Sequence, residues 1–133
     1  MNAIVFDTQA LLIFYLGEPG AGKVEDYLNR VLGKEIEGHF NVVNLAELYY
    51  VLRRVNKDLA EEKERNIKSF GVKIVSVRDK SKLWKIAAAI KAENAVSLAD
   101  AFAAATAITF KGRLVAGGDI EFNTIKNLKI ERV

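Results

Sequence analysis

Four carboxylates, Asp7, Glu47, Asp100 and Asp119, stand in apolar or small-residue settings: IVFD, NLAELYY, SLADAFAAATA and VAGGDIEF. A charge in such a place needs a compensating partner, and four acids spread over the chain point to one folded site that holds a cation. Asp100 is the clearest case. Its helical neighbours at offsets of three, four and seven are Ala103, Ala104 and Ala107, so it projects from an apolar face on which close packing is possible. Two carboxylates about 4 Å apart repel by roughly 4 kcal/mol at an effective dielectric near 20, and a divalent cation removes that conflict. Oxygen-only ligands favour Mg²⁺ or Mn²⁺, and such a site suits chemistry on phosphates. Each acid also has a plainer reading. Asp7 or Thr8 can cap a helix, Asn44-Leu-Ala-Glu47 and Ser97-Leu-Ala-Asp100 fit capping boxes, and Asp119 can be a turn residue after glycine.

The elements that must position these acids follow from periodicity. Ala3–Phe6 is a short apolar strand, and Thr8–Leu16 and Gly22–Leu32 read as helices on either side of the Gly17–Gly22 break. Asn44–Val55 carries an apolar stripe of Leu45, Leu48, Leu52 and Val55. Asp58–Phe70 reads as a charged surface helix and Val72–Val77 as a second strand. Asp79 is the expected cap of a helix that closes near Asn94, and Leu98–Phe110 is apolar nearly all round, as in a buried helix. Arg113–Ala116 and Leu128–Arg132 are the third and fourth strands. Strands separated by helices imply crossovers, so the class is α/β: a three-layer α/β/α arrangement on a mostly parallel sheet. Ligands of such sheets bind beyond the carboxyl ends of the strands. Asp7 and Asp119 follow strands directly, while Glu47 and Asp100 lie in the first turns of helices, so all four can meet at that edge.

With 133 residues, half of them hydrophobic, the chain suits one domain, 1–133, burying roughly two-thirds of its unfolded surface. The absence of cysteine excludes thiolate catalysis and cysteine-ligated zinc, and is compatible with a reducing compartment. No apolar run approaches the ~20 residues of a membrane span, and no basic stretch precedes a signal-like core, so a soluble, cytoplasmic protein is expected. Residues 1–70 carry 9 basic and 11 acidic side chains, a net of −2, and residues 71–133 carry 11 and 6, a net of +5. That basic excess permits a polyanionic partner without requiring one, since lysines such as Lys82 and Lys91 also suit solvated helix faces.

In their order, the strand ending in Asp7-Thr8, the Ala46-Glu47-Leu48 helix, the Ser97-Leu-Ala-Asp100-Ala-Phe-Ala-Ala-Ala-Thr-Ala stretch and the late Gly118-Asp119-Ile-Glu121-Phe122 resemble the PIN domain. Within it they are similar to the VapC-type toxins of toxin–antitoxin pairs. The resemblance covers nearly the whole chain. It implies a metal-dependent ribonuclease in which Asp7 and Asp100 are the principal metal ligands, and Glu47 and Asp119 complete the cluster directly or through water. It further implies an RNA substrate, a VapB-type antitoxin that reaches into the acidic site, and a homodimer. The family's late motif usually places Thr two residues before its first acid. Here that residue is Gly117, with Glu121 as a substitute or helper and Thr8 as a further supporting hydroxyl.

Implied with this is hydrolysis of a phosphodiester by metal-activated water. The one histidine, His39, reads as structural or exposed rather than as a base. Arg53, Arg54 and Lys57, placed in the latter part of the Glu47 helix, are candidates for holding RNA, whereas Tyr49, Tyr50 and Trp84 read first as core. A haloacid-dehalogenase phosphatase would need a second Asp after Asp7-Thr8, and a receiver domain would need paired acids and a late Lys. The segment GEPGAGK at Gly17–Lys23 lacks the spacing, the Ser/Thr and the preceding strand of a phosphate loop. The rival from another class is a catalytically weak or inactive PIN-like module that binds RNA or protein. Gly117 supports it, and the presence of all four acids opposes it.

Overall fold

In a computed structural model of the protein, which describes residues 2–78 and 82–133, five strands form one all-parallel sheet in the order β3-β2-β1-β4-β5. The strands are β1 Ala3–Phe6, β2 Glu37–Asn41, β3 Lys73–Val75, β4 Arg113–Ala116 and β5 Lys129–Arg132. Six helices connect them: α1 Thr8–Tyr15, α2 Ala21–Leu32, α3 Val42–Val55, α4 Lys57–Ser69, α5 Leu83–Glu93 and α6 Leu98–Thr109. A 3₁₀ turn, Ile120–Thr124, lies between β4 and β5. The expected α/β class, three layers and parallel sheet are all present.

Because a parallel strand between two helical layers is covered on both faces, β1 is a continuous apolar run rather than an alternating one. Ile4 and Phe6 pack with α1 to α4, in a cluster that includes Leu11, Leu28, Leu48 and Ile67, while Val5 points the other way. It joins Leu83, Ala87 and the alanines of α6. Ala101, Ala103, Ala104, Ala105 and Ala107 are all fully buried, which lets α6 lie close against the sheet.

One strand, β2, is missing from the sequence reading. Its five residues, EGHFN, contain no β-branched side chain, and their strand conformation is imposed by pairing with β1 and β3 on either side. Gly38 is required there by close approach, since a Cβ would stand 2.7 Å from Val31 Cγ2 on α2. His39 therefore lies in a central strand, buried and stacked on Phe110 at 4.2 Å between ring centroids. Burial lowers its pKa.

Three further expectations change. The cap of α3 is Asn41, whose Oδ1 accepts from the Val43 amide at 2.9 Å, so Asn44 lies inside the helix and the capping box at Glu47 does not form. Lys57 opens α4 instead of ending α3. Val55 and Trp84, read as core, are 69% and 54% exposed. The helix cap expected at Asp79 falls outside the described residues.

Candidate active site

At the carboxyl edge of the sheet, three chain segments that carry acids are tied together by one buried asparagine. Asn44, 1% exposed, donates from Nδ2 to the Ala99 carbonyl at 3.0 Å and to Thr8 Oγ1 at 3.3 Å. The Thr8 hydroxyl in turn donates to the Asn44 carbonyl at 3.3 Å. Asn44 thus links the residue after Asp7, the residue before Asp100 and its own helix, one turn ahead of Glu47. A second bracket lies behind it, where Asn41 Nδ2 donates to Thr106 Oγ1 at 3.0 Å. Sequence reading assigned Asn44 only a capping role, although a buried amide beside three acids is the kind of signal that marks a positioning residue.

Capping and chemistry are not alternatives for these acids. Asp7, 2% exposed, caps α1 by accepting from the Ala10 amide at 2.6 Å. Asp119 caps the 3₁₀ turn by accepting from the Glu121 amide at 3.0 Å. The amide of Asp100 donates to Ser97 Oγ at 3.0 Å, so Ser97 is the cap of α6. In the caps made by Asp7 and Asp119 one oxygen is held by a backbone amide.

The tightest group among the described residues is Asp100, Asp119 and Glu121, each of which offers a carboxylate oxygen within 4.8 Å of the others. At that separation each ionised pair repels by about 3.5 kcal/mol at an effective dielectric of 20. Asp7 and Glu47 complete the cluster electrostatically. The Asp7 carboxyl is pushed up to about 7, first by burial and then by the charges of Asp100 and Glu47, against the lowering effects of the Ala10 amide and Arg132. Asp100 is pushed up to about 6, first by burial and further by Asp119 and Glu47, with Ser97 opposing. Asp7 therefore feels Asp100 and Glu47, Asp100 feels Asp119 and Glu47, and Glu121, named as a helper, stands in the closest trio.

This donor set fits a hard divalent cation. It is all oxygen, anionic and short of positive charge, and a positive ion is what buried acids with raised pKa values lack. The RNA candidates lie elsewhere. Arg53 and Arg54 occupy the last turn of α3, where Arg54 lies over the ring of exposed Tyr50 at 4.9 Å and Arg53 donates to the Tyr49 hydroxyl at 3.1 Å. Tyr49 is half-buried and donates to Glu61 at 2.7 Å. Arg113, at the opposite edge, pairs with Glu131 at 2.6 Å.

Gly117 has a local explanation. A Cβ built there would strike Gln9 Cγ and come within 3.2 Å of Ile13 Cδ1, so the Gln9 side chain occupies the space a threonine would take. Gly117→Thr is expected to lower Tm by several degrees, and Gln9→Ala is expected to recover most of that loss in the double variant. Equal melting of Gly117→Thr and the parent would refute the steric account. Asn44→Ala, which removes the buried bonds from Nδ2 to the Ala99 carbonyl and to Thr8 Oγ1, is expected to cost about 1–3 kcal/mol in chemical denaturation. A cost below about 0.5 kcal/mol would contradict the bracketing role.

Residues 4–128 match the family model described as PIN domain. The chain belongs to the PIN domain family. No curated protein matches it. Among solved structures it is similar to VapBC2 from Rickettsia felis bound to a promoter DNA fragment, at 20% identity, 98% coverage of both chains and a TM-score of 0.76. It is similar also to a toxin–antitoxin complex from Klebsiella pneumoniae, at 16% identity, 94% coverage of both chains and a TM-score of 0.72. A third is FitAcB from Neisseria gonorrhoeae, at 18% identity, 96% and 95% coverage and a TM-score of 0.67. At these identities the shared feature is the fold.

Proposed function

We propose that this PIN-domain chain is an endoribonuclease dependent on Mg²⁺ or Mn²⁺, and the toxin member of a VapC-type toxin–antitoxin pair. The observation that carries the reading is the meeting of Asp100, Asp119 and Glu121 within 4.8 Å, with Asp7 and Glu47 acting on the same point. Asp7 and Asp100 would hold the ion, with Glu47, Asp119 and Glu121 holding it directly or through water. A cation held there would lower the pKa of its bound water and offset charge on the phosphoryl transition state. The chain's own residues do the rest: Asp7 and Asp119 are held by backbone amides, and Asn44 keeps the α1, α3 and α6 starts in register. Thr8 serves that register, since its hydroxyl is bonded to the Asn44 carbonyl.

Arg53 and Arg54 are assigned to the RNA backbone, with Lys57 at the start of α4 as an outer contact. The similarity to VapBC2 and to a toxin–antitoxin complex supports a VapB-type antitoxin as partner, and a homodimer and a cytoplasmic location belong to the same reading. No helix among the described residues is long and apolar enough to cross a membrane. The test is cleavage of single-stranded and structured RNA with Mg²⁺ or Mn²⁺, with chelator, and with Asp100→Asn. Cleavage that survives chelator or the substitution refutes the mechanism. RNA binding without any cleavage would move the conclusion to a non-catalytic PIN module, the reading that Gly117 favours.

A further inference from the structure

Arg132, on β5, is exposed, yet its guanidinium is spent inside the chain. Nη1 donates to the Gly117 carbonyl at 2.7 Å and to the Asp119 carbonyl at 2.6 Å, and Nη2 donates to Asn123 Oδ1 at 2.6 Å. One planar fork therefore holds three points of the turn that follows β4, a geometry that lysine cannot reproduce. That turn carries Asp119 and Glu121 to Asp100. Its C-terminal half has other anchors: Phe122 is buried, and the Thr124 hydroxyl donates to Asn94 Oδ1 at 2.9 Å. Its first half begins with Gly117-Gly118, which has no side chain to anchor with, and the space beside Gly118 is open.

We infer that Arg132 is a positioning residue, which clamps the Gly117–Asn123 turn so that Asp119 and Glu121 reach Asp100, and which thereby sets the affinity of the acid cluster for a divalent cation. The affinity part rests on the reading of that cluster as a cation site. The clamp acts through backbone carbonyls, so it fixes the turn without occupying the acids' own oxygens. Its two effects on a cation have opposite signs. As a neighbouring positive charge Arg132 repels the ion, and as a clamp it assembles the ligands.

That opposition makes a decisive experiment. Free Mn²⁺ is titrated by electron paramagnetic resonance against the full chain, Arg132→Ala, Arg132→Lys and Asn123→Ala, and amide hydrogen exchange of residues 117–124 is followed in the absence of metal. Arg132→Ala and Arg132→Lys are both expected to weaken Mn²⁺ binding by about 10-fold to 100-fold, the scale found for residues that orient metal ligands. Asn123→Ala, which loses one bond of three, is expected to give a smaller loss in the same direction. Exchange over 117–124 should quicken in the Arg132 variants while β1 and β4 stay protected, which also establishes that they fold. Unchanged or tighter Mn²⁺ binding in Arg132→Ala, or unchanged exchange, overturns the clamp. If the parent chain takes up no Mn²⁺, the functional reading and the affinity role both fail, and the exchange result alone decides whether Arg132 holds the turn.

Discussion

Asp100→Asn is expected to reduce cation-supported RNA cleavage by about a hundredfold or more, the scale reached when one electrostatic contributor at a hydrolytic centre is lost. The substitution is nearly isosteric. It keeps the amide of residue 100 on Ser97 Oγ and leaves the buried alanines of α6 untouched, so the fold is retained. What it removes is a negative charge beside Asp119 and Glu47. Without cation the variant should melt slightly higher than the parent, because that repulsion is gone, and added Mn²⁺ should stabilise it less. Activity falling while apo stability rises separates a site role from a structural one. Cleavage at the parental rate under saturating Mg²⁺ would remove Asp100 from the mechanism. Asparagine is also the informative choice at Asp7, because it still caps α1, whereas alanine would lose the cap as well as the charge.

The second large effect is on stability against pH. Asp7 and Asp100 are held at about 7 and about 6 in the folded chain, above their ordinary 3.8. Groups raised in this way favour folding when protonated. Their contribution is complete below about pH 4 and is lost as pH rises through 6 and 7. Moving Asp7 from 3.8 to about 7 corresponds to about 4 kcal/mol. The cation-free chain is therefore expected to lose several kcal/mol between pH 4.5 and 7.5. His39 has the opposite sign: its lowered pKa withdraws stability as pH falls below about 6.5, which blunts the acid limb. Mn²⁺ should restore stability at pH 7.5 and do little at pH 4.5, where the carboxyls carry protons. Melting curves across this range with and without Mn²⁺ are the measurement. A flat cation-free profile, or a Mn²⁺ effect independent of pH, would contradict the coupling of these two acids to a cation site.

The elements legible in the sequence were those whose burial is written in their own residues. The apolar run of β1, the alanine-rich α6 and the placing of Asp7 and Asp100 at one sheet edge follow from pattern alone. What was not legible depends on partners distant in sequence. The strand β2 forms because β1 and β3 flank it, and Gly38-His39 carries no strand signal of its own. Trp84 and Val55 have core-like chemistry but are 54% and 69% exposed. Asp119 stands two residues after Gly117, where the resembled motif usually has threonine. The structure fills that space with Gln9 and fastens the turn with Arg132, two residues to which periodicity assigns no such task.

The strand order has a consequence for the growing polypeptide. Asp7 leaves the ribosome early, but β1 pairs with β4 through Ile4 and Arg113, and the clamp on the Asp119 turn comes from Arg132 on the last strand described. At synthesis rates of about 5–20 residues per second, roughly 6 to 20 seconds separate the first acid from the last. Throughout that interval the nascent chain holds carboxylates that have no common site to occupy. On the nuclease reading proposed above, the site would be complete only once nearly all of the described sheet can close.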